Sequence, residues 1–312
     1  MSNFEVCFGA VFPLLVIMAI GFLSRKIGLV GAKDVEKMNA VMFRVFLPLL
    51  LFNQIYNSDL SSAVKPKLLL FAFCSVLAAF ALSILLARIF IKNQAQRSVV
   101  IQGIYRSNFV IIGIPLVKSL LDGADLGAVS VMLALVVPTY NVLAVLILEL
   151  YSEKHESIWH IISDIFKNPL IIGSVCGIAL LVLGWRLPAP LESVISSMSG
   201  VGSPMMLFLL GAFFEFGRMR QHIFPLVFAV LGRLVLIPGI FLTLGALIGF
   251  RGVEFAGLIG VFASSTAVAS FTMAQQMGGD AELAGDIVVV TSALCPLTLF
   301  CWSMLFKSLG MF

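Results

Sequence analysis

Charge is what this sequence has least of. Of its 312 residues only 12% are Asp, Glu, Lys or Arg, about half of what a water-soluble domain uses to cover its core, while 60% are hydrophobic and the mean hydropathy is +1.09. A soluble globular fold is excluded, as are disordered, collagen-like and fibrous chains. Hydrophilic stretches are equally scarce: the longest runs from Ser152 to Lys167, which leaves no room for a separate soluble domain. The net charge of +4 is small and scattered, which argues against nucleic acid as a partner. Five cysteines, Cys7, Cys74, Cys176, Cys295 and Cys301, sit in apolar runs without a CxxC spacing. They read as small core or lipid-facing residues, not as a disulfide or metal set. His155, His160 and His222 lack metal-ligand spacing too.

What the chain does have is long apolar runs. A helix needs about 20 apolar residues to cross a bilayer. Such stretches fall near 6–24, 40–57, 67–91, 98–121, 128–151, 168–186, 196–217, 222–250, 254–277 and 285–309, which predicts ten spans. The first is expected to be a retained helix and not a cleavable signal, because Arg25 and Lys26 follow the apolar run and none of Met1 to Glu5 is basic. Basic residues then set the orientation. Lys65, Lys67, Lys118, Arg186, Arg251 and Lys307 share one side with both termini. The other side holds Arg25, Lys26, Lys33, Lys37, Arg88, Lys92, Arg97, Lys154, Lys167, Arg218 and Arg220. By the positive-inside rule this richer side is cytoplasmic and both termini face out.

The chain also repeats itself. Pro13 and Pro169, Gly21 and Gly177, Pro48 and Pro204, Phe52 and Phe208, and Gly123 and Gly279 are each 156 residues apart. One offset shared by several spans predicts a duplicated unit of five helices. Because five is odd, the second copy enters the membrane from the opposite face, the inverted repeat of many secondary transporters. The units are expected at 1–151 and 168–312, joined by a short cytoplasmic loop at 152–167. Carriers of this kind bind substrate near the midplane, where paired helices are broken. The fourth span has a candidate break at Arg106, Ser107 and Asn108, followed by Gly113 and Pro115; the matching part of the ninth span carries Ser264, Ser265 and Thr266. Pro removes a backbone donor and Gly loosens the helix, which frees polar backbone for a ligand.

Several segments resemble the auxin efflux carrier family in its short bacterial form: PLLVIMAIGFLSRKIGL from Pro13, MNAVMFRVFLPLLLF from Met38, RSNFVIIGIPL from Arg106, NPLIIGSVCG from Asn168 and SPMMLFLLG from Ser203. The likeness runs from end to end, and the Arg, the Asn two residues on and the Gly-Ile-Pro are its most specific part. It implies an all-α polytopic fold of ten helices in two inverted repeats, similar to bile acid:sodium symporters and NhaA-like antiporters. Spans 1, 2, 6 and 7 would form a scaffold, with dimerisation through it. Spans 3–5 and 8–10 would form a transport domain, built around crossing spans 4 and 9, that moves like an elevator. Two departures stand out. The long cytoplasmic loop of plant members is replaced by Ser152 to Lys167, and Ser265 stands where many relatives have a proline.

A charge at mid-bilayer costs about 2.5–3.5 kcal/mol on insertion scales, so intramembrane ionisable groups are functional candidates. Arg106 leads: its planar fork matches a carboxylate. Asn108 offers donors and an acceptor, and Asn141 matches a position usually Asn in the family. The substrate site is expected at Arg106, Asn108, Gly113, Pro115, Asn141, Ser264, Ser265 and Thr266. Arg44 and Arg233 read as residues near helix ends that reach for the interface, Asn53 and Gln54 as outer-surface groups, and Gln275 and Gln276 as part of an exit path or an interface. Glu149, Glu215 and Asp286 read as solvated. No cofactor is expected. Na⁺ coupling would draw on Ser107, Asn108, Asn141, Ser265 and Thr266; H⁺ coupling lacks a carboxylate in either break, and uniport needs neither ion.

The expected function is a secondary carrier in the cytoplasmic membrane, moving a small organic anion such as malate, malonate or an auxin-like acid, by export or by symport. The alternatives are an intramembrane enzyme and a channel or receptor. Met277-Gly278-Gly279-Asp280 misses the Gly-x-Gly-Asp of intramembrane aspartyl proteases, and Asp280 reads instead as a helix cap.

Overall fold

The computed structural model describes residues 3–58, 65–113, 117, 127–152, 158–215, 217 and 219–312. Pro115, Lys118, Gly123, Lys154, His155 and Arg218, named above, lie outside them. The described chain is all-helical, with α1 Asn3–Lys26, α2 Ala32–Tyr56, α3 Pro66–Phe90, α4 Gln94–Tyr105, α5 Gly127–Leu150, α6 Ile158–Lys167, α7 Pro169–Leu183, α8 Ala189–Phe213, α9 Met219–Ile248, α10 Gly252–Ala263, α11 Ala269–Gln276 and α12 Ala281–Ser308. Six of these (α2, α3, α5, α8, α9 and α12) are long and apolar enough to cross a membrane, and α7 and α10 are shorter apolar helices. The chain is therefore a multi-pass membrane protein. Its outer surface is apolar to match: Leu70, Ile89, Val182 and Leu247 are all exposed. Of the cysteines, Cys74, Cys176 and Cys301 are exposed and Cys295 is buried, all four free.

Local chemistry sets the helix ends. Asn168 caps α7, its side chain accepting from Leu170 N at 3.0 Å with Pro169 as the first helical residue. Asp280 caps α12 as expected, accepting from Leu283 N at 3.0 Å. Both α2 and α9 widen into a π-helical stretch, Met42–Phe46 and Gly232–Leu236, just before Pro48 and Pro238. A proline inside a helix clashes with the carbonyl four residues back, and a widened turn absorbs the clash. The segment expected as a loop between the halves contains α6. The spacing of apolar residues along this segment follows the 3.6-residue period of a helix, which composition alone does not reveal.

The helices pack in two groups. α1 lies on α8 and also touches α12, while the second half of α2 lies on α7 and α8. The other group joins α3, α4 and α5 to α9, α10, α11 and α12. Two contacts in the first group are related by the 156-residue offset. Gly21 in α1 meets the carbonyl of Phe208 so closely that a side chain there would run into it. Gly177 in α7 meets the carbonyl of Phe52, where an added Cβ would lie 3.0 Å from the oxygen. Residue 21 plus 156 is 177, and 208 minus 156 is 52: each glycine packs on the counterpart of the other's partner.

Candidate functional site

α4 stops at Tyr105 and α10 at Ala263, and from both ends the chain runs extended. Arg106 has φ −85° and ψ 122°, Ser264 φ −71° and ψ 165°. The two extended pieces cross as one antiparallel bridge between Ser107 and Thr266. Asn108 N donates to Ser265 O at 2.8 Å and Ala267 N to Arg106 O at 3.4 Å. The break at Ser264 needs no proline. Thr266 Oγ1 donates to Gly103 O at 2.7 Å, and Thr266 N donates to Thr291 Oγ1 of α12 at 3.2 Å, so hydroxyls and the crossing strand hold the chain out of the helix.

A cavity of about 70 Å³ opens on one side of the crossing, lined by Arg106, Ser107, Asn108 and Asn141 with Tyr140, Gln54, Ser203 and the chain entering α11 at Ala267, Val268 and Ala269. One buried water needs roughly 10–15 Å³ on this measure, so it has room for on the order of five. Arg106 is 3% exposed. Its Nη2 donates to Asn141 Oδ1 at 2.6 Å, and its Nη1 reaches Gln102 Oε1 at 3.3 Å, Ser270 Oγ at 3.5 Å and Met273 Sδ at 2.9 Å. All these partners are neutral; among the described residues Arg106 has no ion pair, with Glu149 or any other carboxylate. Asn141 Nδ2 donates to Val137 O at 2.9 Å, which turns its oxygen toward Arg106. Asn108 Nδ2 is buried without a partner, and the hydroxyls of Ser107 and Tyr140 sit side by side without a well-formed hydrogen bond. A fixed cation, an open amide donor and two hydroxyls thus face one small space. Such a set suits an organic anion.

A sequence profile of the family described as "Membrane transport protein" matches residues 6–303 of this chain. The chain belongs to that family. This membrane transport protein is also 21% identical over 303 residues to a protein of Methanothermobacter thermautotrophicus described as an uncharacterized transporter, covering 94% of this chain and 96% of the relative. Membership bears out the resemblance to auxin efflux carriers and identifies a transporter, not an enzyme.

Not every residue expected at the transporter's site lines the cavity. Ser264, Ser265 and Thr266 are essentially unexposed and do not line the cavity: Ser265 and Thr266 belong to the crossing itself, and Ser292 Oγ donates to Ser265 Oγ at 3.3 Å. Gly113 closes a π-helical turn that starts at Phe109, and Pro115 lies outside the described residues.

Gln54 lines the cavity and not the outer surface, whereas Asn53 turns to α8 and donates to Ser199 Oγ at 2.9 Å. Gln275 accepts from Asn39 and ties α11 to α2. Arg44 is exposed, in keeping with an interfacial role. Asp286 is not solvated: it is 5% exposed, with Oδ2 unpartnered, beside Glu215 and Glu282.

The largest correction concerns Arg233. It does not reach for an interface but is fully buried, and among the described residues it donates only to backbone carbonyls: Nε to Ser264 O at 2.8 Å, Nη1 to Ile104 O at 3.4 Å and Tyr105 O at 3.2 Å, and Nη2 to Val261 O at 3.0 Å. The available signal was its place mid-way along α9, where a charge has no interface to reach.

Proposed function

We propose that this protein is a secondary carrier for a small organic anion, held by Arg106 with Asn108 and Asn141 at the crossing of the two broken helices. One observation carries the reading: Arg106 is a buried cation whose partners among the described residues are all neutral, at a cavity where an amide donor stays open. A carboxylate arriving there gains charge-assisted hydrogen bonds worth about 1.5–3 kcal/mol each. The start of α11 adds the positive end of its dipole. The size of the cavity favours a mono- or dicarboxylate of a few heavy atoms, such as malate or malonate, over a bulky aromatic acid.

The reading includes ten spans in two inverted repeats. The reciprocal packing of Gly21 on Phe208 and Gly177 on Phe52 supports a two-fold relation. The cavity lies where α2 and α8 of one packing group meet α4, α5 and α11 of the other, which supports elevator movement of the second group past the first. The first group would then be the scaffold and the contact surface of a homodimer. The distribution of basic residues supports outward termini, and the reading places the protein in the cytoplasmic membrane.

The test is flux of labelled malonate and malate into proteoliposomes, with sodium and pH gradients imposed separately and aromatic acids as comparison. Saturable flux with counterflow is expected. Conductance far above carrier turnover, or no flux of any carboxylate, would remove this reading.

A further inference from the structure

The crossing is where two helices end with their carbonyls converging. The last carbonyls of a helix lack intrahelical partners and carry the negative end of its dipole. In carriers with broken helices such ends are where a coupling cation is coordinated. Here seven of the carbonyls at the crossing are already occupied. At the end of α4, Gln102 O accepts from Arg106 N, Gly103 O from the Thr266 hydroxyl, and Ile104 O and Tyr105 O from Arg233. At the end of α10, Val261 O and Ser264 O accept from Arg233, and Ser265 O from Asn108 N. Of the side-chain oxygens that could complete a cation shell, Asn141 Oδ1 faces the Arg106 guanidinium at 2.6 Å and Thr266 Oγ1 is turned to Gly103, while the hydroxyls of Ser107 and Ser264 are left without a partner.

Resting on the carrier reading above, we propose that Arg233 is the built-in cation of the crossing, filling the place among the converging carbonyls that a sodium or potassium ion would otherwise take, so that no alkali cation binds there during transport. The chemistry supports it in three ways. A guanidinium carries its donors in a rigid planar fork, which lets one side chain serve carbonyls from both helix ends at once. No ion pair to Arg233 is found among the described residues, so its charge is balanced by the two helix ends themselves. Finally, Arg233 is fixed in α9 and cannot dissociate as a free ion does, and its bonds tie α4, α9 and α10 together.

The experiment follows melting of the detergent-purified full chain by tryptophan fluorescence, in sodium, potassium or choline chloride at equal ionic strength. Wild-type protein is expected to melt at one temperature in all three salts. Arg233→Ala is expected to melt several degrees lower in choline chloride, and to regain part of that loss with millimolar guanidinium, which refills the space. Saturable stabilisation of the wild type by sodium or potassium overturns the proposal, and so does an Arg233→Ala protein that no small cation restores. Should Arg233→Ala not be recovered folded, Arg233→Lys decides. It keeps a fixed cation and is expected to show no sodium response; a sodium response there overturns the proposal. Because melting needs no substrate, an absence of carboxylate flux with this salt pattern intact sinks the carrier reading and leaves the fixed cation standing.

Discussion

Arg106 Nη2 donates to Asn141 Oδ1 at 2.6 Å, across the cavity wall from the end of α4 to the middle of α5. The pair sets the charge of the site. An amide oxygen orients a guanidinium without neutralising it, so the positive charge stays available to a ligand.

Converting that amide to an acid should therefore close the site. Asn141→Asp supplies an internal carboxylate within reach of Arg106, and the half-saturation concentration for malonate is expected to rise at least about tenfold, in line with the 1.5–3 kcal/mol typical of a charged hydrogen bond. Proteoliposome uptake curves measure it. An unchanged half-saturation would show that substrate does not meet this face of Arg106.

Arg106 itself should be replaceable only in part. Arg106→Ala is expected to abolish saturable flux, while Arg106→Lys keeps the charge, loses the two-pronged fork and retains a reduced rate. Equal flux in all three proteins would remove Arg106 from the mechanism.

Thr266 should matter for stability more than for binding, because its hydroxyl is spent on Gly103 O. Thr266→Val leaves a buried carbonyl without its partner, a loss of about 1–3 kcal/mol. Thr266→Ser restores the donor. A lower melting temperature for the valine variant and a near-normal one for serine are expected.

Gly21 and Gly177 should both resist substitution, Gly21 more strongly, since an added Cβ there would run into the Phe208 carbonyl whereas at Gly177 it would lie 3.0 Å from that of Phe52. Replacing either with Val forces backbone apart between α1 and α8 or between α2 and α7, with a cost on the order of 1–3 kcal/mol or more for overpacking. Gly200 in α8 has open space around it, and Gly200→Ala is expected to be neutral or stabilising by about 0.4–1 kcal/mol. Melting temperatures of the three variants test the packing; a tolerated Gly21→Val would contradict it.

The sequence by itself determined the features that depend on composition and spacing: a home in lipid, the apolar spans, the 156-residue offset, and the polar residues Arg106, Asn108 and Asn141 that the structure brings to one cavity. Each of these is written in residue types a few positions apart or at a constant shift. The tertiary structure alone decided the rest. Arg233 binds carbonyls at 104, 105, 261 and 264, and main-chain oxygens look the same at every position of a sequence, so nothing in the chain marks them as its partners. Ser264 to Thr266 look as open to a ligand as Asn108 does until the crossing turns their side chains away from the cavity. Gln54 and Asp286 change surroundings for the same reason: a helix end is solvated or buried according to what another helix, far away in the chain, brings against it.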